Sequence, residues 1–384
     1  MGYPYSDTYT YISYLIVGLV CVLSIHISKG ESFSSQKEFK GFSILFTTLF
    51  LFAVLRKVGL HLGGEDALTY QTGFIDYFNH GSERYQSTDI LFGLLTGAIR
   101  FMTDNPYIYR GVCYSIIIVG YIRVIKVLSP QHISPIPFIC ILIPFMRSLN
   151  TMRNSISISL FLFALVAFYN RKFYQCLIWM IMSILMHRLS IIMIIVFPSM
   201  ILYDKYLKNR SKWGKWGIVI IVGSLMMLSY LASRLLQNYV LLIGLFAESS
   251  NADFWYMTNN IGGNILLNWP MYLLHLMLLV CLMWKYENLP DNPKIKFLIG
   301  LFFFDLIMLP ATLVLGMWRY TEYLYIPNLI LWGCLIPCFY KDFILSSRMI
   351  VRMICLTGFS ALMLIRLSRE WYEAALMPYK LFFQ

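Results

Sequence analysis

Four arginines share a position at the ends of apolar segments of the chain: Arg56, Arg147, Arg153 and Arg319. A guanidinium remains charged at any physiological pH, and its planar fork binds a phosphate through two parallel hydrogen bonds. An arginine at the edge of an apolar segment is costly and usually functional. These four therefore predict an anion site, plausibly one for a pyrophosphate. The alternative is that each side chain only extends its charge into water.

Two side chains could transfer protons. His187 stands in the sequence His187-Arg188-Leu189-Ser190 between two apolar runs, and an imidazole is suited to general base catalysis near neutral pH. Asp66 follows two glycines and precedes Tyr70 by four residues, so a helix would place both on one face. Asp66 could instead only cap a helix, and His187 could be a hydrogen-bonded structural residue.

The stretch between Arg147 and Arg153 contains Asn150 and Thr151, either of which could cap a following helix. Free backbone N–H groups at that helix start would add to an anion site. Serines 155, 157 and 159 then enter the helix, where small side chains permit close helix packing.

A second short turn, residues 318–323, combines Arg319 with the aromatic ring of Tyr323. Aromatic rings here and at Tyr70 could stack on sugar rings. They could equally be interfacial residues that hold helix ends at a membrane surface.

The composition determines which elements position these residues. Of 384 residues, 59% are hydrophobic and 13% charged, whereas soluble domains carry about 25% charged residues. The mean hydropathy is +0.66. We predict an all-α polytopic membrane protein, because backbone groups in lipid must be hydrogen-bonded within the segment. This excludes a cytosolic enzyme, a secreted disulfide-rich domain and a nucleic-acid module. The six histidines and eight cysteines show no metal-ligand spacing, so we expect no metal and no cofactor.

Apolar stretches predict about 12 transmembrane helices in one membrane domain, residues 1–384, with outer loops 57–87 and 237–266. A further stretch, 88–102, is short and contains Arg100, and we expect a re-entrant or interfacial helix there. The predicted spans lie near 9–28, 41–56, 107–126, 133–150, 153–169, 173–188, 189–204, 216–236, 267–284, 297–317, 323–340 and 349–366.

Basic residues in short loops predict the orientation, because such loops remain in the cytoplasm. The loop 204–215 is the richest in lysine, and alternation then places 29–40, 123–132, 170–172, 285–296 and 341–352 on the same side. These six loops hold 18 of the 31 Lys and Arg residues. The arginines described above consequently lie on the opposite side. This assignment of loops to alternating sides requires that the stretch 88–102 does not fully cross the membrane.

The motifs, taken in chain order, resemble those of the EpsG/Wzy-like family of bacterial polysaccharide (O-antigen) polymerases. The similarity covers roughly residues 50 to 330. The matching positions are Arg56, Gly64, Asp66, Tyr70, Phe74, Met152, Arg153, His187, Ser190, Arg319 and Tyr323.

The resemblance implies a GT-C-like, metal-independent glycosyltransferase of the bacterial inner membrane, with its active site facing the periplasm. The growing glycan would pass from undecaprenyl pyrophosphate to the non-reducing sugar of a new undecaprenyl-pyrophosphate-linked repeat unit. Membrane lipid and a chain-length regulator are further implied partners, and nucleic acid is not.

The implied site residues have distinct roles. Arg153 would stabilise the departing pyrophosphate, and either His187 or Asp66 would accept the acceptor's proton. Arg147 and Arg319 would bind the pyrophosphate, and Tyr70 and Tyr323 the glycan. Arg56 would hold either the phosphate or Asp66.

Three other functions are open at this point. An O-antigen ligase uses the same donor, but usually has a larger outer loop than 237–266. A lipid-linked oligosaccharide flippase would show two repeated halves, which the sequence lacks. A membrane acyltransferase would place its histidine near a thioester.

Overall fold

The computed structural model describes residues 8–29, 34–59, 65–81, 89–207, 264–315, 318–340 and 345–374, and the isolated residues 217 and 224. These residues are almost entirely helical, and no β-strand occurs among them. The all-α prediction is therefore confirmed for the described chain. The predicted span 216–236 lies outside it except at residues 217 and 224. The loop 204–215 is described only as far as residue 207, and the loop 237–266 only from residue 264.

Thirteen α-helices are present in these ranges. They are α1 (Thr8–Lys29), α2 (Ser35–Val54), α3 (Glu65–Ile75), α4 (Ile90–Met102), α5 (Pro106–Leu128), α6 (Leu142–Asn150), α7 (Met152–Tyr169), α8 (Phe173–Met186), α9 (Val196–Leu202), α10 (Asn264–Lys285), α11 (Pro293–Leu315), α12 (Tyr325–Leu335) and α13 (Leu345–Ala374). Short 3₁₀ segments join several of them, at Ile136–Ile141, Arg188–Ile195, Tyr286–Asn288, Trp318–Glu322 and Ile336–Phe339. Single π-helical turns occur at Tyr77–Gly81 and Tyr203–Leu207.

Local sequence explains where two of the long helices begin. The Lys37 N–H donates to the Ser34 hydroxyl at 3.2 Å at the start of α2. At the start of α5, Pro106 takes a position that needs no N–H, and the Tyr107 N–H donates to Asn105 Oδ1 at 2.8 Å. Both are standard N-terminal caps, which satisfy donors that have no partner within the helix.

Five helical segments are long and apolar enough to cross a membrane: Thr10–Lys29, Pro106–Leu128, Met152–Tyr169, Arg188–Tyr206 and Arg348–Ile365. Four shorter segments are also apolar: Ile90–Met102, Ile136–Asn150, Phe173–Met186 and Tyr325–Phe339. The protein is thus a helical membrane protein. The count of about 12 spans stays a prediction.

Helix α4 occupies the stretch expected to be re-entrant or interfacial. Its 13 residues extend about 20 Å, which is shorter than the hydrocarbon core of about 30 Å. This length agrees with a helix that does not fully cross, and its depth in the membrane stays a prediction.

The chain divides into two compact units. The first comprises Met1–Ile194 and Leu329–Gln384, and the second comprises Ile195–Asn328. The single membrane domain predicted from the sequence stays a prediction.

The first unit is built around α5, α7 and α8, and small side chains allow these helices to approach closely. The Ser159 hydroxyl donates to the Ile117 carbonyl at 3.0 Å. A Cβ on Gly120 would lie 2.6 Å from the Cβ of Ser159, so only glycine fits there. Ser157 and Ser183 each donate to the other's carbonyl, at 2.9 and 2.8 Å. The predicted packing role is therefore confirmed for Ser157 and Ser159, whereas the Ser155 hydroxyl donates to the Thr151 carbonyl, four residues earlier in the chain.

The second unit contains a buried polar cluster between α10, α11 and α12. Asp305 Oδ2 lies 2.8 Å from His275 Nε2 and accepts a hydrogen bond from the Asn328 side-chain amide at 2.6 Å. All three side chains are buried. Such hydrogen bonds between helices stabilise packing in an environment without water.

Candidate active site

A buried carboxylate in the first unit lies between two of the predicted site residues. Asp89 Oδ2 lies 2.5 Å from Arg153 Nη1, and Asp89 Oδ1 lies 3.5 Å from His187 Nδ1. The Arg188 backbone N–H also donates to Asp89 Oδ1, at 3.3 Å. Asp89 itself is 2% exposed. We call Asp89, Arg153 and His187 the Asp89 cluster.

Each member of the Asp89 cluster is positioned by a helix end. Asp89 precedes α4, although its side chain makes no capping hydrogen bond to that helix. Arg153 is the second residue of α7. His187 follows α8 in an extended conformation, φ −156°, and begins the turn into the 3₁₀ segment. Helix ends release side chains from the helical register, so three separate elements can direct polar groups to one point.

Two opposing effects act on the Asp89 carboxyl, which lies outside the five candidate spans. Burial raises its pKa, while the neighbouring His187 side chain, the positive charge of Arg153 and the Arg188 N–H lower it. The net result is a pKa below the usual range. Asp89 is therefore an anion at neutral pH, so it favours a proton on His187 Nδ1 and makes Nε2 the nitrogen that accepts a proton.

A second cationic group, the Arg56–Arg110 pair, lies where α2 meets α5. Arg56 Nη2 donates to the Tyr114 hydroxyl at 2.9 Å and to the Leu149 carbonyl at 2.8 Å. Arg110 Nη1 donates to the Arg56 carbonyl at 2.8 Å. The two side chains are 2% and 5% exposed.

The Arg56–Arg110 pair has unused hydrogen-bond donors. Among the described residues neither arginine has a carboxylate partner, and Arg56 Nε and Nη1 and Arg110 Nε have no acceptor. Tyr70, Gln71 and Tyr109 line a small cavity beside them, with about 10 Å³ of space for a water centre, roughly the room for one water. Two buried cations that lack a counter-ion are suited to an anionic ligand.

Asp66 lies apart from these buried groups. Its backbone N–H donates to Asn150 Oδ1 at 2.8 Å, and its side chain is exposed. Asn150 therefore binds the start of α3 rather than capping α7. Thr151 makes no capping bond to α7 either, since its hydroxyl donates to the Arg147 carbonyl at 3.0 Å. The prediction that Asn150 or Thr151 caps α7 is wrong, because both side chains bind neighbouring backbone groups.

The residues of α3 that were predicted to share one face lie in different environments. Tyr70 is half-buried and contacts the Phe92 ring edge-on at 5.6 Å between centroids. Phe74 is fully buried and stacks on Tyr109 at 4.4 Å. Tyr70 thus lies beside the Arg56–Arg110 pair, whereas Asp66 is exposed in the first turn of the helix.

The remaining predicted residues lie in different places. Arg147 is buried in α6 of the first unit. Tyr323, in the second unit, is buried as well. The backbone of Arg319 belongs to the 3₁₀ segment Trp318–Glu322, and its side chain lies outside the described residues. The roles of Arg147, Arg319 and Tyr323 stay predictions.

Sequence reasoning did not identify Asp89 or Arg110. Asp89 is an acidic residue directly before an apolar run, a pattern that also fits an ordinary helix cap. Arg110 lies in the first turn of a predicted span, four residues before Tyr114. The partners of both side chains belong to elements that are distant in the chain. The sequence around each residue therefore does not reveal its contacts.

No three His, Cys, Asp or Glu side chains come together as metal ligands in the part of the chain that the structure describes. The groups there that can neutralise a phosphate are guanidinium groups. The cluster that combines an imidazole, a carboxylate and a guanidinium can accept a proton and stabilise a departing anion.

Comparison with known proteins gives one match, to the family model described as the EpsG family, over residues 41–381. No curated protein and no solved structure matches the chain significantly.

Proposed function

Since the chain belongs to the EpsG family, we propose that it is a polysaccharide polymerase of the membrane. The reaction moves the growing glycan from undecaprenyl pyrophosphate onto the non-reducing sugar of a new lipid-linked repeat unit. The Asp89 cluster is the observation that carries this proposal. In it an imidazole and a guanidinium lie beside the two oxygens of one buried carboxylate, which supports the roles of proton acceptor for His187 and phosphate-binding cation for Arg153.

The chemistry follows from these three groups. The acceptor hydroxyl oxygen attacks the anomeric carbon of the donor, and the bond from that carbon to the pyrophosphate oxygen breaks. His187 Nε2 takes the hydroxyl proton in a single displacement. Pyrophosphate is a good leaving group, so it needs charge stabilisation more than protonation, and Arg153 supplies that charge.

The structure favours His187 over Asp66 as the base. His187 is 5% exposed and lies beside an ionised carboxylate, which stabilises the imidazolium that forms after proton transfer. Asp66 is exposed and lies outside the Asp89 cluster. Asp89 is a positioning residue in this scheme, because it acts through His187 and Arg153.

The Arg56–Arg110 pair supports binding of the lipid pyrophosphate in the same unit. Two buried guanidinium groups with unused donors match the oxygens of a phosphate, which accept several hydrogen bonds. Tyr70 lines the small cavity beside the pair, and it would contact the attached sugar once that cavity opens to admit the ligand. Arg147, in the same unit, would complete the pyrophosphate site.

We place the enzyme in the bacterial inner membrane with about twelve spans, a GT-C-like architecture and the site facing the periplasm. The lysine-rich short loops support this orientation, because they are typical of the cytoplasmic side. A separate chain-length regulator is a proposed partner by family analogy alone.

The test is a surface-glycan profile of the native host after deletion of the gene, run on a gel. We expect core carrying one repeat unit, without the ladder of longer chains. Bare core with long glycan held on undecaprenyl would indicate a ligase. Bare core with repeat units trapped on the inner leaflet would indicate a flippase.

Complementation then tests the site itself. Wild-type protein should restore the ladder, while Arg153→Ala at equal expression should not. Arg153→Lys should restore little, because an ammonium cannot replace a bidentate fork. A normal ladder with Arg153→Ala would refute the assigned role.

A further inference from the structure

A groove runs between α2 and α5 at the end of the first unit where α1 ends and α2 begins. Its volume is about 380 Å³, within the range of about 300–1,000 Å³ that is common for small-molecule sites. Phe39, Phe46 and Thr47 line it from α2, and Ile122 and Lys126 line it from α5. Phe42 and Ser43 complete the lining, so the walls are mostly apolar, with two hydroxyl groups and one cation.

The spacing of the lining residues explains the groove. Phe39, Phe42, Phe46 and Thr47 recur at intervals that place them on one face of α2. Small side chains on this face, such as Thr47, leave a space. The phenylalanine rings form the borders of that space. Phe39 is 76% exposed, so the apolar wall continues onto the protein surface.

The lysine at the end of the groove shares its carboxylate partner with a second lysine. Glu38 Oε1 lies 2.7 Å from Nζ of the buried Lys29, whereas Glu38 Oε2 lies 3.7 Å from Lys126 Nζ. Lys29 also donates to the Lys126 carbonyl at 3.2 Å, which brings the helix ends together. Glu38 therefore pairs with both lysines, and these three side chains together keep a net positive charge. The Lys126 side chain is 53% exposed, so its ammonium group can also be reached from outside the protein.

The surrounding surface is basic. Lys37, Lys40 and Arg123 are exposed at the same helix ends, and Glu38 is the one acidic residue described in α1, α2 and α5. Basic pockets between transmembrane helices attract anionic lipid head groups. Each lysine or arginine near the membrane surface contributes about 1 kcal/mol to the binding free energy.

We propose that this groove binds one anionic phospholipid of the leaflet at this end of the bundle. The lipid phosphate contacts Lys126, and one acyl chain lies along the α2 face from Phe39 to Thr47. The site is separate from the Asp89 cluster and does not depend on the proposed polymerase activity. The positive-inside rule assigns it to the cytoplasmic leaflet.

Non-denaturing mass spectrometry of the purified, delipidated full-length protein tests this site. The protein is titrated with phosphatidylglycerol or with phosphatidylcholine of the same chain length. We expect one retained phosphatidylglycerol at concentrations where phosphatidylcholine does not remain bound. Lys126→Gln should weaken that binding about fivefold, the change expected for one charge near an anionic head group.

Two further variants separate this groove from general surface charge. Lys40→Gln removes the same charge at the same end but outside the groove, and should weaken binding clearly less than Lys126→Gln does. Thr47→Trp fills the groove at an exposed position without altering charge. It should abolish retention of phosphatidylglycerol while the melting temperature stays within a few degrees of the wild type.

Three results would overturn the proposal. They are equal retention of the two lipids, an equal loss with Lys40→Gln and Lys126→Gln, and unchanged phosphatidylglycerol binding by a folded Thr47→Trp variant.

Discussion

The Asp89 carboxylate lies 2.5 Å from the Arg153 guanidinium, although the two residues belong to the starts of different helices, α4 and α7. The same carboxylate lies 3.5 Å from His187 Nδ1. Asp89 therefore links the predicted cation to the predicted base. A carboxylate in this position fixes the imidazole and balances the arginine charge when no substrate is bound.

Asp89→Asn should lower polymerisation about a hundredfold at unchanged protein level. The amide keeps the size of the side chain but loses the charge that orients His187 and Arg153. General base catalysis raises a reaction rate about 10²–10⁴-fold, so a misoriented base should lose much of that factor. In vitro chain extension with lipid-linked repeat units measures this. Asp76→Asn, an exposed acid at the end of α3, is the matched control. Equal activity of the two variants would show that Asp89 has no role in the reaction.

The lowered pKa of Asp89 predicts a specific pH dependence of stability. A carboxyl whose pKa is lower in the folded state stabilises the fold above its unfolded pKa, about 3.9, and loses this effect as the pH falls through its folded pKa. The difference in melting temperature between wild type and Asp89→Asn should be constant above about pH 5 and shrink below about pH 4. A difference that widens in acid would mean that folding raises the pKa.

His187→Ala should reduce polymerisation far more than His26→Ala. His187 is buried beside Asp89, whereas His26 is exposed on α1. The activity of each variant at matched expression is the measurement. Equal effects would make His187 a structural residue.

His275 is a different kind of control. Its ring is buried against Asp305, so its removal leaves a buried carboxylate without that partner and should lower the melting temperature. His187→Ala should lower activity without a comparable loss of stability. Measuring both quantities for both variants separates a catalytic histidine from a packing one.

Arg110→Met should preserve stability while lowering activity. Apolar replacement of a buried charge is often neutral or stabilising, because the cost of desolvating that charge disappears. The phosphate site, however, loses one of its two cations, and we expect at least a tenfold loss of polymerisation. Arg123→Met, at an exposed position of the same helix, is the control and should be active. A strongly destabilised Arg110→Met protein would instead indicate a structural arginine.

Polymerisation should survive treatment with EDTA, because arginine groups rather than a metal ion carry the phosphate charge in the proposed reaction. The same in vitro assay measures the residual rate after chelation. A loss that magnesium or manganese restores would contradict a metal-independent mechanism.

The sequence by itself determined the helical membrane class, because few charges and long apolar runs require backbone hydrogen bonds to close within each segment. It also predicted Arg153 and His187 as site residues, since both interrupt apolar runs at helix ends. It predicted the packing serines of α7, because small residues in an apolar helix have few other uses.

Only the tertiary structure placed Asp89 between Arg153 and His187, left Asp66 exposed and turned Asn150 toward α3. The physical reason is the uniform apolarity of these helices. In a helix with an apolar stripe, the spacing of the apolar residues reveals the buried face. A helix that is apolar on all sides gives no such indication. The rotation of α7 and α8, and therefore the partners of the polar residues at their ends, depends on packing between distant helices.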